Sequence, residues 1–220
     1  MYAGAAKLPL IGGQPALDLI NTVEPRQPLP DAEPHDHLTD PAELLRWAVR
    51  AGLIADHEAT RVAEAWAHDD GAAAIALATT KQIREAAYAA LVGVMGPAAP
   101  DTPATRSALE LLHLRWTAAM SRSTLVLDGG GAPARLAVGT TAALLVPDRA
   151  AHAAVEVLRT ADPARLRACP IAGGGCGWVF LDRSRNGSRR WCQMADCGTQ
   201  VKARRLTARR RAARSATSQG

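Results

Sequence analysis

Apolar side chains recur at helical spacing over most of the first 160 residues, and the breaks between blocks carry start and stop signals. Asp40-Pro41-Ala42-Glu43 predicts a helix start, with Asp40 as cap, Pro41 at the first helical position and Glu43 three residues after the cap. That helix carries Leu44, Leu45, Trp47 and Ala48 and stops at Gly52. A second is expected after Asp56, with Val62, Ala63 and Trp66 on one face. A third covers roughly residues 72–94 and stops at Gly96-Pro97. A fourth starts near Thr102-Pro103 and carries Leu109, Leu112, Trp116 and Ala119. The last runs to about Arg159, with Val155 and Leu158 toward the core and Pro147 either beginning or kinking it.

Other stretches follow a different rhythm. Gly12-Gly13 is a turn that leads into a short apolar segment ending at Asn21-Thr22, and Pro25 to His37 reads as a Pro-rich loop. Ser123 to Asp128 reads as a strand, Gly129-Gly130-Gly131 as a turn, and Arg135 to Val138 as the returning strand. Further on, Trp178-Val179-Phe180-Leu181-Asp182 is rich in β-formers, Asn186-Gly187 is a hairpin-turn signal, and Ser188 to Trp191 is the expected return. The expected fold is mainly α with a small β-hairpin in an N-terminal domain, residues 1–164. A compact module over 165–214 and a frayed tail over 215–220 follow.

Composition agrees with this division. The chain has 220 residues, 48% of them hydrophobic and only 4% aromatic, an Ala-rich mixture that favours helices. It holds no apolar run of about 18 residues or more; the uncharged run from Ala86 to Pro100 is broken by Gly93, Gly96 and Pro97. Met1 to Gly13 lacks the features of a signal peptide. A cytoplasmic protein with reduced thiols and no membrane partner is expected.

Charge is divided unevenly. Residues 165–214 hold 13 Arg and Lys against Asp182 and Asp196, a net of +11; the whole chain is +5, which leaves −6 for residues 1–164. An acidic body joined to a basic module points to a polyanion partner for the module.

All four cysteines lie in that module. Cys169, Cys176, Cys192 and Cys197 are spaced C-x6-C-x15-C-x4-C. Two close pairs across an intervening loop suit one tetrahedral zinc ion, and Gly173-Gly174-Gly175 lets the long first pair fold back. Four thiolates fill the shell, so the expected zinc is structural; the competing reading is four free or structural thiols. A module this small depends on the metal for its folding free energy.

The run from Trp178 to Cys192, WVFLDRSRNGSRRWC, resembles the core of the CGNR zinc finger. At the last cysteine this chain reads Cys197-Gly198-Thr199-Gln200, two residues different from the four that name that family. Gly12-Gly13, Leu17 to Val23, Leu45-Arg46-Trp47 and Ala51-Gly52-Leu53 resemble the ABATE domain, which commonly precedes that finger in a family of stress-induced transcription regulators. The resemblance covers nearly the whole chain. It implies a helical domain with a small hairpin, acting as a sensor, ahead of a DNA-binding finger.

Candidate nucleic-acid contacts follow from arginine's fit to phosphates and base edges. Arg183, Arg185, Arg189 and Arg190 surround the predicted turn. Lys202, Arg205 and Arg209 share one face of a predicted basic helix, with Arg204 round its side. DNA is the favoured partner; RNA or another polyanion is the alternative. Asp18, Asn21 and Arg84 form a candidate ligand pocket for an effector, against the plainer reading of capped or paired polar groups. A homodimer would match the habit of DNA readers to pair half-sites. No nucleophile–base pair, phosphate loop or clustered histidines appear, so a regulator is expected rather than an enzyme with its site in the first domain. A protein-interaction adaptor is the remaining reading.

Overall fold

A computed structural model describes residues 4–29, 32–95, 101–127, 133–173, 175–199, 203 and 207. Six α-helices and three antiparallel strand pairs are seen among them. In chain order they are α1 (Pro15–Ile20), β1 (Val23–Glu24), β2 (His35–Asp36), α2 (Pro41–Arg50), α3 (Asp56–Ala67), α4 (Asp70–Met95), α5 (Pro103–Ser121), β3 (Thr124–Val126), β4 (Arg135–Ala137), α6 (Leu145–Thr160), β5 (Leu166–Ala168) and β6 (Val179–Leu181).

Local signals set the helix starts. The Asp40 carboxylate accepts the Glu43 N–H at 2.8 Å, with Pro41 at the first position of α2. Thr102 caps α5 in the same way, accepting from the Thr105 N–H at 3.1 Å. At α3 the Glu58 carboxylate reaches back to the Ala55 N–H at 2.8 Å. Pro147 lies in the first turn of α6, behind a 3-10 turn at Ala142–Leu144. The first N–H groups of a helix have no partner within it, so proline costs no bond there and begins the helix without kinking it.

Helices α4, α5 and α6 pack on one another, with α1, α2 and α3 added around α4 and α6. The core runs through Leu17, Ile20, Leu44, Trp47, Val62, Ile83, Leu112 and Val146. One sequence-based assignment changes. Ala63 is exposed, since α3 buries only Val62 and Trp66. On α6 Val155 and Leu158 pack half-buried against the edge of the core, as expected. Ala150, Ala151, Ala154 and Val157 are more deeply buried, since small alanines let α4 and α5 approach closely. At that edge Val155 and Leu158 face outward as well. There, with Leu109 and Trp116, they line an open groove of about 540 Å³ between α5 and α6.

Strands β3 and β4 form the expected hairpin, with Leu125 opposite Leu136; its turn, including Gly129, Gly130 and Gly131, lies outside the described residues. The C-terminal pairing differs from the expected one. β6 pairs antiparallel with β5, Leu166 opposite Leu181 and Ala168 opposite Val179. Residues 188–191 form no strand. The Asn186-Gly187 turn does form, with Gly187 at φ +60° and its N–H on Ser184 O at 3.2 Å. The chain leaving it is held by one side chain instead of a ladder: the Asp182 carboxylate accepts the N–H groups of Ser184 and Arg189, both at 2.9 Å. Among the described residues no helix is long and apolar enough to cross a membrane.

Candidate metal centre

The four cysteines converge although the first and the last are 28 positions apart. Cys169 leaves β5 with its N–H on Trp178 O at 2.8 Å. A 3-10 turn, Ile171–Gly173, then bends the chain back to Cys176. Gly175 is required at the bend: a Cβ on it would lie 2.5 Å from the Cys169 sulfur. Cys192 precedes a single π-helical turn, Met194–Gly198, which carries Cys197 and is closed by the Gly198 N–H on Gln193 O at 3.2 Å.

All four sulfurs lie within 4.8 Å of one another, and each cysteine is buried. The Cys176–Cys192 and Cys192–Cys197 sulfurs are 3.4 and 3.5 Å apart. A disulfide needs about 2.05 Å. A tetrahedron of sulfurs about 2.3 Å from zinc has edges of about 3.8 Å, so the donor set fits a four-thiolate metal site. The cysteines form no disulfide. Hydrogen bonds among the crowded sulfurs, first that with Cys169, then burial, push the Cys176 thiol up, while hydrogen bonds from its neighbours, Cys176 first, hold Cys169 down. Such a cluster shares protons among sulfurs, and a dication displaces them.

A small apolar shell encloses the sulfurs: Leu8, Trp178 and Phe180, with Ile11 and Trp191 at its edge. Arg189 braces it. Its guanidinium stacks 4.2 Å from the Phe180 ring centroid and donates to the carbonyls of Trp191 at 3.2 Å and of Cys192.

The module is also bonded into the body. Asn21, at the end of α1, acts as a one-residue strand on the free edge of β6: its amide donates to Val179 O and accepts from the Val179 N–H, both at 2.9 Å. Trp178 Nε1 donates to Val23 O at 2.9 Å, the Arg26 N–H to Cys176 O at 2.8 Å, and the Leu181 N–H to Gly12 O at 2.9 Å. Leu166 and Val179 of the module belong to the main core. Asp18 holds the strap that carries Leu8 and Ile11 by accepting the Gly12 N–H at 2.8 Å. Burial pushes its carboxyl up to about 6. Arg50 donates to Leu8 O on the same strap.

These contacts place the three candidate pocket residues. Asp18 and Asn21 serve the seam between body and module. Arg84 donates to both Asp36 oxygens at 2.8 and 3.0 Å, to Thr22 Oγ1, beside Asn21, at 3.0 Å and to Glu85 at 2.7 Å. Each of the three side chains has protein partners. Sequence reasoning missed Leu8, Ile11, Gly12 and Arg26 as builders of the centre. The only signal was the dense polar–apolar motif at residues 12–23.

Of the candidate nucleic-acid contacts, Arg183, Arg185 and Arg190 are exposed. Arg183 donates to Gly13 O at 2.7 Å, and Arg190 lies 5.7 Å from the Trp191 ring centroid. Arg189 is half-buried and occupied as a brace. Lys202, Arg204, Arg205 and Arg209 lie outside the described residues; Ala203 and Thr207 between them are helical and exposed, with Thr207 Oγ1 donating to Ala203 O at 3.1 Å.

A helical body that carries a buried four-cysteine knuckle is the architecture of a protein with a zinc-finger-type donor set. Residues 13–161 match the ABATE family, described as "Putative stress-induced transcription regulator", and the chain belongs to that family. Residues 165–210 match the CGNR zinc finger. Neither is an enzyme family. No curated protein matches the chain.

Proposed function

We propose that this chain is a cytoplasmic, DNA-binding transcription regulator, with a helical domain over 1–164, a finger over 165–214 and a tail over 215–220. Cys169, Cys176, Cys192 and Cys197 would hold one Zn2+. Four thiolates leave it no open position, so its part is structural. The ion supplies folding free energy and fixes the loop after β6. The chain's own residues then bind DNA: Arg183, Arg185 and Arg190 from that loop, with Lys202, Arg204, Arg205 and Arg209 from the basic segment. The helical domain binds an effector or pairs two chains.

One observation carries the reading. The finger's arginines Arg183, Arg185 and Arg190 are exposed and have no carboxylate partner among the described residues, in a module of net charge +11. Charge left uncancelled on one face is what a polyanion needs.

The test is a salt series of DNA binding by fluorescence anisotropy on the zinc-loaded chain. The logarithm of affinity should fall with the logarithm of salt by about 0.9 for each phosphate neutralised. A flat response, or no binding at low salt, sinks the proposal. Metal analysis should give one zinc per chain, lost in the Cys192→Ser, Cys197→Ser variant together with the fold of the finger.

A further inference from the structure

Where the end of α6 meets the loop after β6 lies a cleft of about 520 Å³. The body contributes Gln14 and Thr160 to its lining, and the finger contributes Arg165, Arg183, Ser184 and Arg185. Asp162 and Asp182 also line it.

The three arginines differ from four of the body's. Arg26, Arg84, Arg122 and Arg149 are each paired with a carboxylate. Arg165 instead donates to Ser184 O at 2.9 Å and Asp182 O at 3.5 Å. Arg183 donates to Gly13 O. Arg185 is exposed. Among the described residues none of the three forms an ion pair. The two acids are turned to backbone work: Asp182 accepts the N–H groups of Ser184 and Arg189, and Asp162 accepts the Ala164 N–H at 2.8 Å. Three guanidiniums against two carboxylates leave the lining net positive. Carbonyls hold Arg165 and Arg183 in place; the Arg165 charge also helps to hold the Asp182 carboxyl below its ordinary range, after the Ser184 hydrogen bond.

We propose that this cleft is a phosphate-binding site shared between body and finger. A guanidinium fork matches phosphate oxygens in pairs, and the Gln14 amide at the mouth of the cleft offers a neutral donor. The phosphate comes from the DNA backbone or from a free phosphate compound. Only the first source rests on the regulator reading. In that case the body takes part in holding DNA, and the finger is not its sole holder.

The experiment uses the full zinc-loaded chain with Arg183→Gln and Arg185→Gln, and with Arg61→Gln, an exposed residue on α3, as a control for lost charge. Inorganic phosphate is titrated calorimetrically at constant ionic strength, and DNA binding is measured across a salt series. The parent should bind phosphate saturably, about tenfold more weakly in each cleft variant, while Arg61→Gln matches the parent. A DNA salt slope lowered by about 0.9 in the cleft variants identifies the source as the DNA backbone. An unchanged slope beside weakened phosphate binding identifies a free phosphate compound. The proposal is overturned if neither phosphate binding nor the DNA slope responds to the cleft variants. Steep DNA binding with that result leaves the regulator reading standing. Saturable phosphate binding without any DNA binding removes that reading and keeps the cleft.

Discussion

Replacing Asn21 by Ala tests whether body and finger fold as one unit. Asn21 is 2% exposed and Val179 fully buried, so no water can replace the lost amide. The substitution leaves both the N–H and the C=O of Val179 unpaired inside the seam, two bonds of 2.9 Å each. A buried polar group without a partner costs about 1–3 kcal/mol, so the variant, with two such groups, should lose about 2–6 kcal/mol. That is a large part of the roughly 5–15 kcal/mol that keeps a domain folded. The loss should appear in two places. Urea unfolding followed by helical circular dichroism should shift to lower denaturant, and competition with a chelator should show weaker zinc binding. A coupling of about 3 kcal/mol corresponds to roughly a hundredfold loss in zinc affinity. Asn21→Asp retains the acceptor for the Val179 N–H but sets a carboxylate against Val179 O, so it should be no better than Ala. A stability loss below about 0.5 kcal/mol, or destabilised helices with unchanged zinc affinity, would refute the argument that Asn21 bonds the two parts together.

Other residues give further tests. The Asp18 carboxyl is raised from 3.8 to about 6 by burial, so its contribution to stability is full below about pH 4 and is lost as pH rises through 6. Asp18→Asn should flatten that pH dependence and stabilise the chain at pH 7 by about 2 kcal/mol, read from urea midpoints across pH 4–7; an unchanged profile would remove burial as the cause. Gly175→Ala drives a Cβ to 2.5 Å from the Cys169 sulfur. It should weaken zinc binding at least about tenfold in chelator competition, with the helical content of the body retained; parent-like affinity would show that the bend can yield.

Much of the fold is legible in the sequence because its signals are local. The caps at Asp40 and Thr102 each need only four consecutive residues. The cysteine spacing carries the metal site because a tetrahedron requires only four donors at workable separations. The errors arise where a distant partner decides. The Asn186-Gly187 signal is real, but Ser188-Arg189-Arg190 has no apolar alternation to pair with β6. Leu166 to Ala168 reaches that edge first, and Asp182 ties down the rest. The partner of Asn21 lies 158 positions away, so its place in the seam is not visible in the motif that contains it. On α6, spacing places Val155 and Leu158 against the core, but the still deeper burial of Ala154 and Val157 depends on the closeness of α4 and α5.

Asn21 also has a consequence for how the chain is made. Synthesis runs from the N-terminus, so α1 leaves the ribosome long before its partner at Val179 exists. Until then the carbonyls of Gly12 and Val23 and the amide of Asn21 lack their partners, and the early helices must collapse around an incomplete end. Long-range closure of this kind is slow to complete. A finger moved onto another body would lack the same three anchors.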